Sequence, residues 1–281
     1  MTYTHLSAPT EFAQASGIRF AYRRFGKSDS VPLLFIPHYR AGMDHWDPAV
    51  TDGFAATRSI ILFDNAGVAS SSGETPDSME AMADDAANFV SALGLSTVDV
   101  LGHSIGGYMA QAFALRHPNT TRRLILAGTG PRGGEPSKDP RVREYADSTD
   151  PLTGESSLEA FLYLCFRPSA TSRTAGTAFW ERRHLCKQDV DRPSTPQTMA
   201  AHRAAIIAWS KSSGEGYAER ISQPTLIVNG NHDIMIPTIN SYSLSQRIPQ
   251  AQLIIYPDSG HGALFQFPEA FVAHGRMFLD A

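Results

Sequence analysis

The stretch TVDVLGHSIGGY (residues 97–108) sets one serine, Ser104, among three glycines directly after a run of β-forming residues. Such a run can be a phosphate-binding loop, a close helix-packing site, or a turn that exposes a nucleophile. A Walker-type phosphate loop requires G-x-x-x-x-G-K-[ST], and a dinucleotide loop requires G-x-G-x-x-G beside the first parallel strand. Neither spacing occurs within residues 97–108. Gly102-His103-Ser104-Ile105-Gly106 instead matches G-x-S-x-G, between TVDVLG and a helical pattern running through Met109, Phe113 and Leu115 to His117-Pro118. A sharp strand-to-helix turn strains its central residue, and glycines two positions before and after let neighbouring chain pass without a Cβ in the way. The serine is pushed outward at a helix N-terminus, where free N–H groups and the dipole favour developing negative charge.

The segments on either side of this turn give the fold class. Short apolar runs alternate with helical patterns, as expected of a mostly parallel sheet covered by helices. A hairpin comes first, Glu11 to Ala15 and Ile18 to Phe25 joined at Ser16-Gly17. LLFIP (33–37), SIILFD (59–64), TVDVLG (97–102) and RLILAG (123–128) follow, apolar throughout, as central parallel strands are. The pattern resumes with TLIVNG (225–230) and QLIIYP (252–257) and closes with a helix able to turn Phe271 and Phe278 to the sheet. In between, residues 131–220 are richer in charge, Ser, Thr and Pro, with helical patterns near Leu158 to Phe166, Ala175 to Cys186 and Thr198 to Trp209 and no strand run. The expectation is one α/β domain over residues 1–281. Its core (1–130 and 221–281) is a twisted, mostly parallel sheet flanked by helices, and a helical lid (131–220) is inserted after the sixth strand. Such helices would sit over the strand ends where open α/β sheets bind ligands. The helix preceding the turn is expected to start with Asp77 as N-cap and Glu80 in its first turn.

At 281 residues and 42% hydrophobic content the chain can bury a substantial core, and its net charge of −4 gives no reason to propose nucleic acid or an anionic membrane as partner. A small, near-neutral substrate fits better. No apolar run approaches the roughly 18 residues of a membrane span. The N-terminal MTYTHLSAPTEFAQASG lacks a basic-then-apolar secretory pattern, so a cytoplasmic protein is expected. Cys165 and Cys186 have neither the number for a disulfide framework nor metal-ligand spacing, and they read as small buried hydrophobes. No metal or cofactor is expected.

A serine hydroxyl needs a base to take its proton, and the base needs a carboxylate to set its tautomer. In TLIVNGNHDIMIP (225–237), Asp233 falls three residues past the glycine that ends a strand run. In YPDSGHGALFQ (256–266), His261 follows the next strand run between two glycines that free its loop to reach inward. With GHSIGG, the G-x-x-D-x-x-x-P of GNHDIMIP, and SGH in the chain order Ser, Asp, His, the sequence resembles the α/β-hydrolases over nearly all of the chain outside the lid. The resemblance implies Ser104 as nucleophile, His261 as general base and acid, and Asp233 as the partner that orients the histidine.

Relatives of this kind carry an H-G-x motif after the third strand, where this chain has Pro37-His38-Tyr39-Arg40-Ala41-Gly42, with tyrosine in place of glycine. Aligned on His38, the resemblance implies oxyanion donors at the backbone N–H groups of Arg40 and Ile105. His38, Tyr39, His103, Phe161, Trp180 and Trp209 are candidates to line an apolar substrate pocket. Helical spacing equally reads Phe161, Phe166, Phe179, Trp180, Met199 and Trp209 as the lid's own core. His103 reads as a packed histidine, and His38, His45 and His232 lack metal-ligand spacing. Asp64 in DNAGVASSS is similar to the family's D-x-R-G-x-G-x-S loop, with Ala66 and Ala69 replacing Arg and Gly, and is read as a strand-end turn residue. Glu135 is the alternative acid.

The reaction that follows is hydrolysis of a carboxylic ester or lactone of a small, largely apolar substrate through an acyl-enzyme. Serine at the elbow argues against epoxide hydrolases and haloalkane dehalogenases, relatives with aspartate there. Carbon-carbon bond hydrolases and cofactor-free haloperoxidases, or perhydrolases, share the triad and stay open as alternatives. So does a low-turnover small-molecule receptor on the same fold.

Overall fold

The chain opens with an antiparallel hairpin, β1 (Glu11–Ala15) and β2 (Ile18–Gly26), turned at Ser16 and Gly17, both at positive φ. The strands β3 (Leu33–Ile36), β4 (Ser59–Phe63), β5 (Val98–His103), β6 (Thr121–Ala127), β7 (Thr225–Gly230) and β8 (Ala251–Tyr256) follow. They form one eight-stranded sheet in the order β1-β2-β4-β3-β5-β6-β7-β8. All pairings from β4 to β8 are parallel, and β2 joins β4 antiparallel. The structure is a computed structural model, and it describes residues 3–27, 30–148 and 156–281.

The continuous apolar runs have a simple cause: alternate residues of each central strand enter different cores. Leu33 and Phe35 pack with Leu101 and Ile125 beneath α1 (Pro48–Ala55) and the closing helix, whose Phe271 and Phe278 join them. Leu34 and Ile36 pack with Val100 and Leu124 against α2 (Met79–Ala92) and α3 (Ile105–Arg116), through Phe89 and Phe113. Edge strand β8 is less buried than the central strands, and its Gln252 and Ile255 are exposed. α2 begins one residue later than expected. Ser78, in an extended conformation, accepts the Ala81 N–H as N-cap, so Asp77 lies outside the helix, while Glu80 does occupy the first turn.

Between β6 and β7 lie α4 (Val142–Asp147), α5 (Leu158–Cys165), α6 (Ala170–Arg183) and α7 (Pro196–Lys211), with no strand among the described residues of 131–220. Side-chain oxygens of Ser157, Ser169 and Thr195 cap α5, α6 and α7 by accepting a backbone N–H three residues on. The Ser169 cap explains why α6 starts five residues before the apolar pattern that marked it in the sequence. These helices dock on the core through a two-pronged Arg182–Asp47 pair at 2.9 and 2.6 Å, Thr198 Oγ1 donating to Gly67 O at 2.9 Å, and stacked Phe179 and Phe265 rings 4.2 Å apart. The chain is completed by α8 (Ile239–Arg247), α9 (Ala263–Gln266) and α10 (Pro268–Asp280).

Connectivity places the site. After β3 the chain goes to β4 on one side and then crosses to β5 on the other, so the loops leaving β3 and β5 diverge at the C-terminal sheet edge. A crevice at such a reversal is where open parallel sheets bind ligands. Among the described residues no helix is long and apolar enough to cross a membrane.

Candidate active site

Ser104 stands alone between the end of β5 and the start of α3, at φ 58 and ψ −122. A non-glycine residue there carries strain of roughly 1–3 kcal/mol and needs its surroundings to hold it. Ser104 N donates to Ala127 O at 2.9 Å, and its carbonyl accepts from Thr129 Oγ1 at 2.8 Å and Gly107 N at 2.9 Å. The flanking glycines supply room, since neither Gly102 nor Gly106 has a positive φ. A Cβ on Gly102 would strike the Gly106 carbonyl, and one on Gly106 would strike the carbonyls of Ile36 and Pro37. The elbow is thus wedged onto the end of β3, with Ile105 the first residue of α3, where N–H groups have no partner inside the helix.

Asp233 and His261 meet at the same sheet edge, Asp233 three residues beyond β7 and His261 five beyond β8. His261 Nδ1 lies 2.7 Å from Asp233 Oδ2, with both side chains buried. The other carboxylate oxygen, Oδ1, accepts the N–H groups of Met235 at 2.8 Å and Ile236 at 2.9 Å, which orient the acid. An acceptor on Nδ1 assigns the imidazole proton to that atom and leaves Nε2 with a lone pair. Nε2 is buried and has no hydrogen-bond partner among the described residues. The glycines beside His261 again supply space: Cβ atoms there would lie 2.9 Å (Gly260) and 3.1 Å (Gly262) from Cys165 O, which also accepts Gly262 N–H at 2.7 Å. The end of α5 therefore presses directly on the histidine loop.

Ser104, Ile105 and Tyr39 form one wall of a cavity of about 350 Å³. Val142 and Ala146 of α4, and Met235 and Ile236 beside Asp233, contribute apolar surface. α7 adds Arg203, Ile206, Ile207 and Ser210, an i, i+3, i+4, i+7 stripe that periodicity alone could have picked out, and Trp209, stacked 5.1 Å from Tyr108. The charges on the wall compensate. Arg203 pairs with Asp147 at 2.7 Å, and the same carboxylate oxygen accepts the Tyr39 hydroxyl at 3.3 Å.

Of the pocket candidates, Tyr39 and Trp209 line this cavity and the others do not. Phe161 stacks on Phe179 at 5.3 Å and touches Trp180 at 5.5 Å, because α5 and α6 turn their aromatic faces inward toward Phe265. His38 and Phe161 border a separate hollow of about 40 Å³ with Arg40 and His45. His103 lies beneath the site, its ring 5.0 Å from that of His261, and its Nε2 sits 3.2 Å from His261 O. Burial pushes His38 down to about 3 and holds His103 and His45 well below the usual imidazole range, so all are uncharged at neutral pH. Arg40 does not line the cavity. Its N–H, expected to face the reacting carbonyl, donates to His202 Nδ1 at 3.3 Å, and its guanidinium donates to Ala146 O at 3.3 Å and Ser148 O at 3.0 Å. His202 was not visible as a site residue in the sequence.

Glu135 lies on the cavity wall, its backbone held at both ends by the Asn240 amide at 2.7 and 2.9 Å, but the histidine is bonded to Asp233. Asp64 accepts Met43 N–H at 3.0 Å and Ser70 N–H at 3.1 Å, ordering two loops as a turn residue does. Beside it, Asp44 and Asp191 exchange backbone N–H to carboxylate bonds of 2.7 and 2.8 Å, tying the inserted segment to the core. Cys165 and Cys186 are buried and unpaired. No group of three or more His, Cys, Asp or Glu able to hold a metal occurs among the described residues.

A doubly flanked parallel sheet with a serine at a strained strand-to-helix turn is the architecture of an α/β hydrolase. The sequence profile of the alpha/beta hydrolase fold matches residues 31–268, and the chain belongs to that family. A solved alpha/beta hydrolase fold protein from Chitinophaga pinensis is 37% identical, with a TM-score of 0.92 over 99% of this chain and 100% of that one. A poly(3-hydroxyalkanoate) depolymerase from Ectopseudomonas oleovorans is 30% identical over 94% of this chain and 89% of its own. A pimeloyl-[acyl-carrier protein] methyl ester esterase from Nitrosomonas europaea is 27% identical over 62% of this chain and 68% of its own.

Proposed function

We propose that this hydrolase cleaves a carboxylic ester or lactone of a small, largely apolar substrate through an acyl-enzyme, with α4 to α7 as a lid over the site. The observation that carries the reading is Ser104, held at φ 58 on the wall of an apolar cavity of about 350 Å³. That volume suits a small molecule, and the paired charges of Arg203 and Asp147 favour an uncharged one. The depolymerase and esterase among the relatives are consistent with ester chemistry.

In this reading Ser104 Oγ attacks the carbonyl carbon while His261 Nε2 takes its proton, and the carbonyl oxygen becomes an oxyanion facing backbone N–H groups, Ile105 among them. The bond from carbonyl carbon to alkoxy oxygen breaks, and the leaving alcohol receives the proton from Nε2. Water then gives a proton to Nε2 and attacks the acyl carbon, and Ser104 departs with that proton restored. Asp233 keeps the imidazole in the Nδ1–H tautomer throughout.

Proton release measured by pH-stat on a panel of short and long acyl esters, aryl esters and lactones tests this, with Ser104→Ala as control. The expected result is turnover of at least one member and a loss of roughly a thousandfold or more in the variant. Equal activity in both proteins, or none in either, refutes the proposal.

A further inference from the structure

The turn after β3 is tied to the segment between β6 and β7. Arg40 is at φ 65, its N–H donates to His202 Nδ1 on α7 at 3.3 Å, and its carbonyl accepts from Ser194 Oγ at 2.8 Å. The Tyr39 hydroxyl reaches Asp147 and Met199 O, and its ring lies 5.9 Å from the His202 imidazole. The Arg40 N–H is thereby engaged by α7. Tyr39, one residue earlier, lines the same cavity as Ser104 and Ile105, and its N–H has no hydrogen-bond acceptor among the described residues.

Building on the serine-hydrolase reading, we propose that Tyr39 N–H is the oxyanion donor paired with Ile105 N–H, and that His202 is the positioning residue that fixes this arrangement by accepting Arg40 N–H. His202 can accept at Nδ1 only with its proton on Nε2. Burial supports that state by pushing the imidazole pKa down to about 4, which keeps the ring uncharged at neutral pH. The lid thus reaches the reacting carbonyl through the backbone: α7 holds the Tyr39–Arg40 peptide by its N–H, and that peptide adjoins the His38–Tyr39 peptide, which carries Tyr39 N–H. A donor misplaced in this way weakens the transition state and leaves ground-state binding nearly untouched.

The experiment uses a trifluoromethyl ketone, which adds to the serine and places an oxyanion where the reaction would. Amide NMR of the wild type with this ketone is expected to move the Tyr39 and Ile105 amide protons downfield and leave Arg40 in place. A downfield move of Arg40 with Tyr39 unchanged overturns the assignment. In kinetics, His202→Phe is expected to lower kcat and ketone affinity together by roughly a hundredfold with KM within about threefold. His202→Asn, whose Oδ1 can stand where Nδ1 does, is expected to recover kcat to within about tenfold of wild type. Equal losses in the two variants, or a loss confined to KM, would make His202 a packing residue and refute the positioning role. If His202→Phe does not fold, the wild-type NMR and the Asn variant still decide. A wild type that forms no Ser104-dependent ketone adduct defeats the underlying hydrolase reading, and this inference with it. A normal adduct with unmoved Tyr39 defeats only the inference.

Discussion

Replacing Asp233 by Asn changes the charge and almost nothing of the shape, and the surrounding hydrogen bonds dictate how the amide must sit. Asp233 Oδ1 accepts two backbone N–H groups, from Met235 at 2.8 Å and Ile236 at 2.9 Å. An asparagine can satisfy those donors only with its carbonyl oxygen, so its NH2 group must occupy the Oδ2 position, 2.7 Å from His261 Nδ1. Two donors cannot face each other, and Nδ1 must surrender its proton and accept. The imidazole proton moves to Nε2, the atom that receives the proton of Ser104 in the proposed mechanism. The wrong tautomer is then the stable one, and a loss of roughly 10⁴-fold in kcat is expected, as in other triads so altered. At 1.36 kcal/mol per factor of ten this is about 5 kcal/mol of lost transition-state stabilisation.

Stability should hardly move, because every hydrogen bond of the acid survives with roles exchanged, and a change under about 1 kcal/mol is expected. The assay is initial rate by pH-stat on the best ester of the panel, with the thermal midpoint measured alongside. An Asp233→Asn protein that is folded and keeps more than about a tenth of wild-type kcat would refute the assignment of the acid. Glu135→Gln is the companion: it should cost less than about threefold, and a large loss there with Asp233→Asn active would move the acid to Glu135.

Three further outcomes follow from other contacts. Gly106→Ala drives a Cβ into the carbonyls of Ile36 and Pro37, so a loss of roughly 2–4 kcal/mol in stability, or failure to fold, is expected in denaturant titration. Ile207→Trp fills cavity space on α7, so the preferred acyl chain should shorten while short esters keep kcat/KM within about threefold. The third outcome concerns pH. Burial raises the carboxyl of Asp64 to about 7 and that of Asp191 well above its ordinary value, against the pull of Arg23 and with the push of Asp44. At these two sites the folded state therefore holds more protons than the unfolded state between about pH 4 and pH 7, and the pair's own contribution to stability falls as pH rises through that window. Asp191→Asn should flatten that fall, reading as a higher thermal midpoint than wild type near pH 8 and a smaller difference near pH 5. A parallel pH profile for the two proteins would count against it.

What could be read from the sequence was what is local along the chain. The central strands announced themselves because both faces of each are buried, giving the unbroken apolar runs LLFI (33–36) and IILF (60–63). The serine turn announced itself because the space it needs is made by glycines two residues away. Helix starts were less legible where a cap stood apart from the apolar pattern: Ser169 begins α6 well before its aromatic residues, and Ser78 displaced Asp77. Least legible was whatever depends on the helices between β6 and β7 meeting the core. Phe161 and Trp180 were candidates for pocket and lid core alike, and the choice was made by Phe265 of α9, against which Phe179 stacks. Arg40 shows the same dependence more sharply. An alignment on His38 assigns its N–H by counting from the motif, but the peptide's orientation depends on which acceptor captures it. That acceptor, His202, is 162 residues away on α7. Where a sheet edge meets helices inserted between its strands, a motif therefore specifies the chemistry of a side chain more securely than the direction of a neighbouring backbone N–H, because the second is settled by whatever packs on the loop.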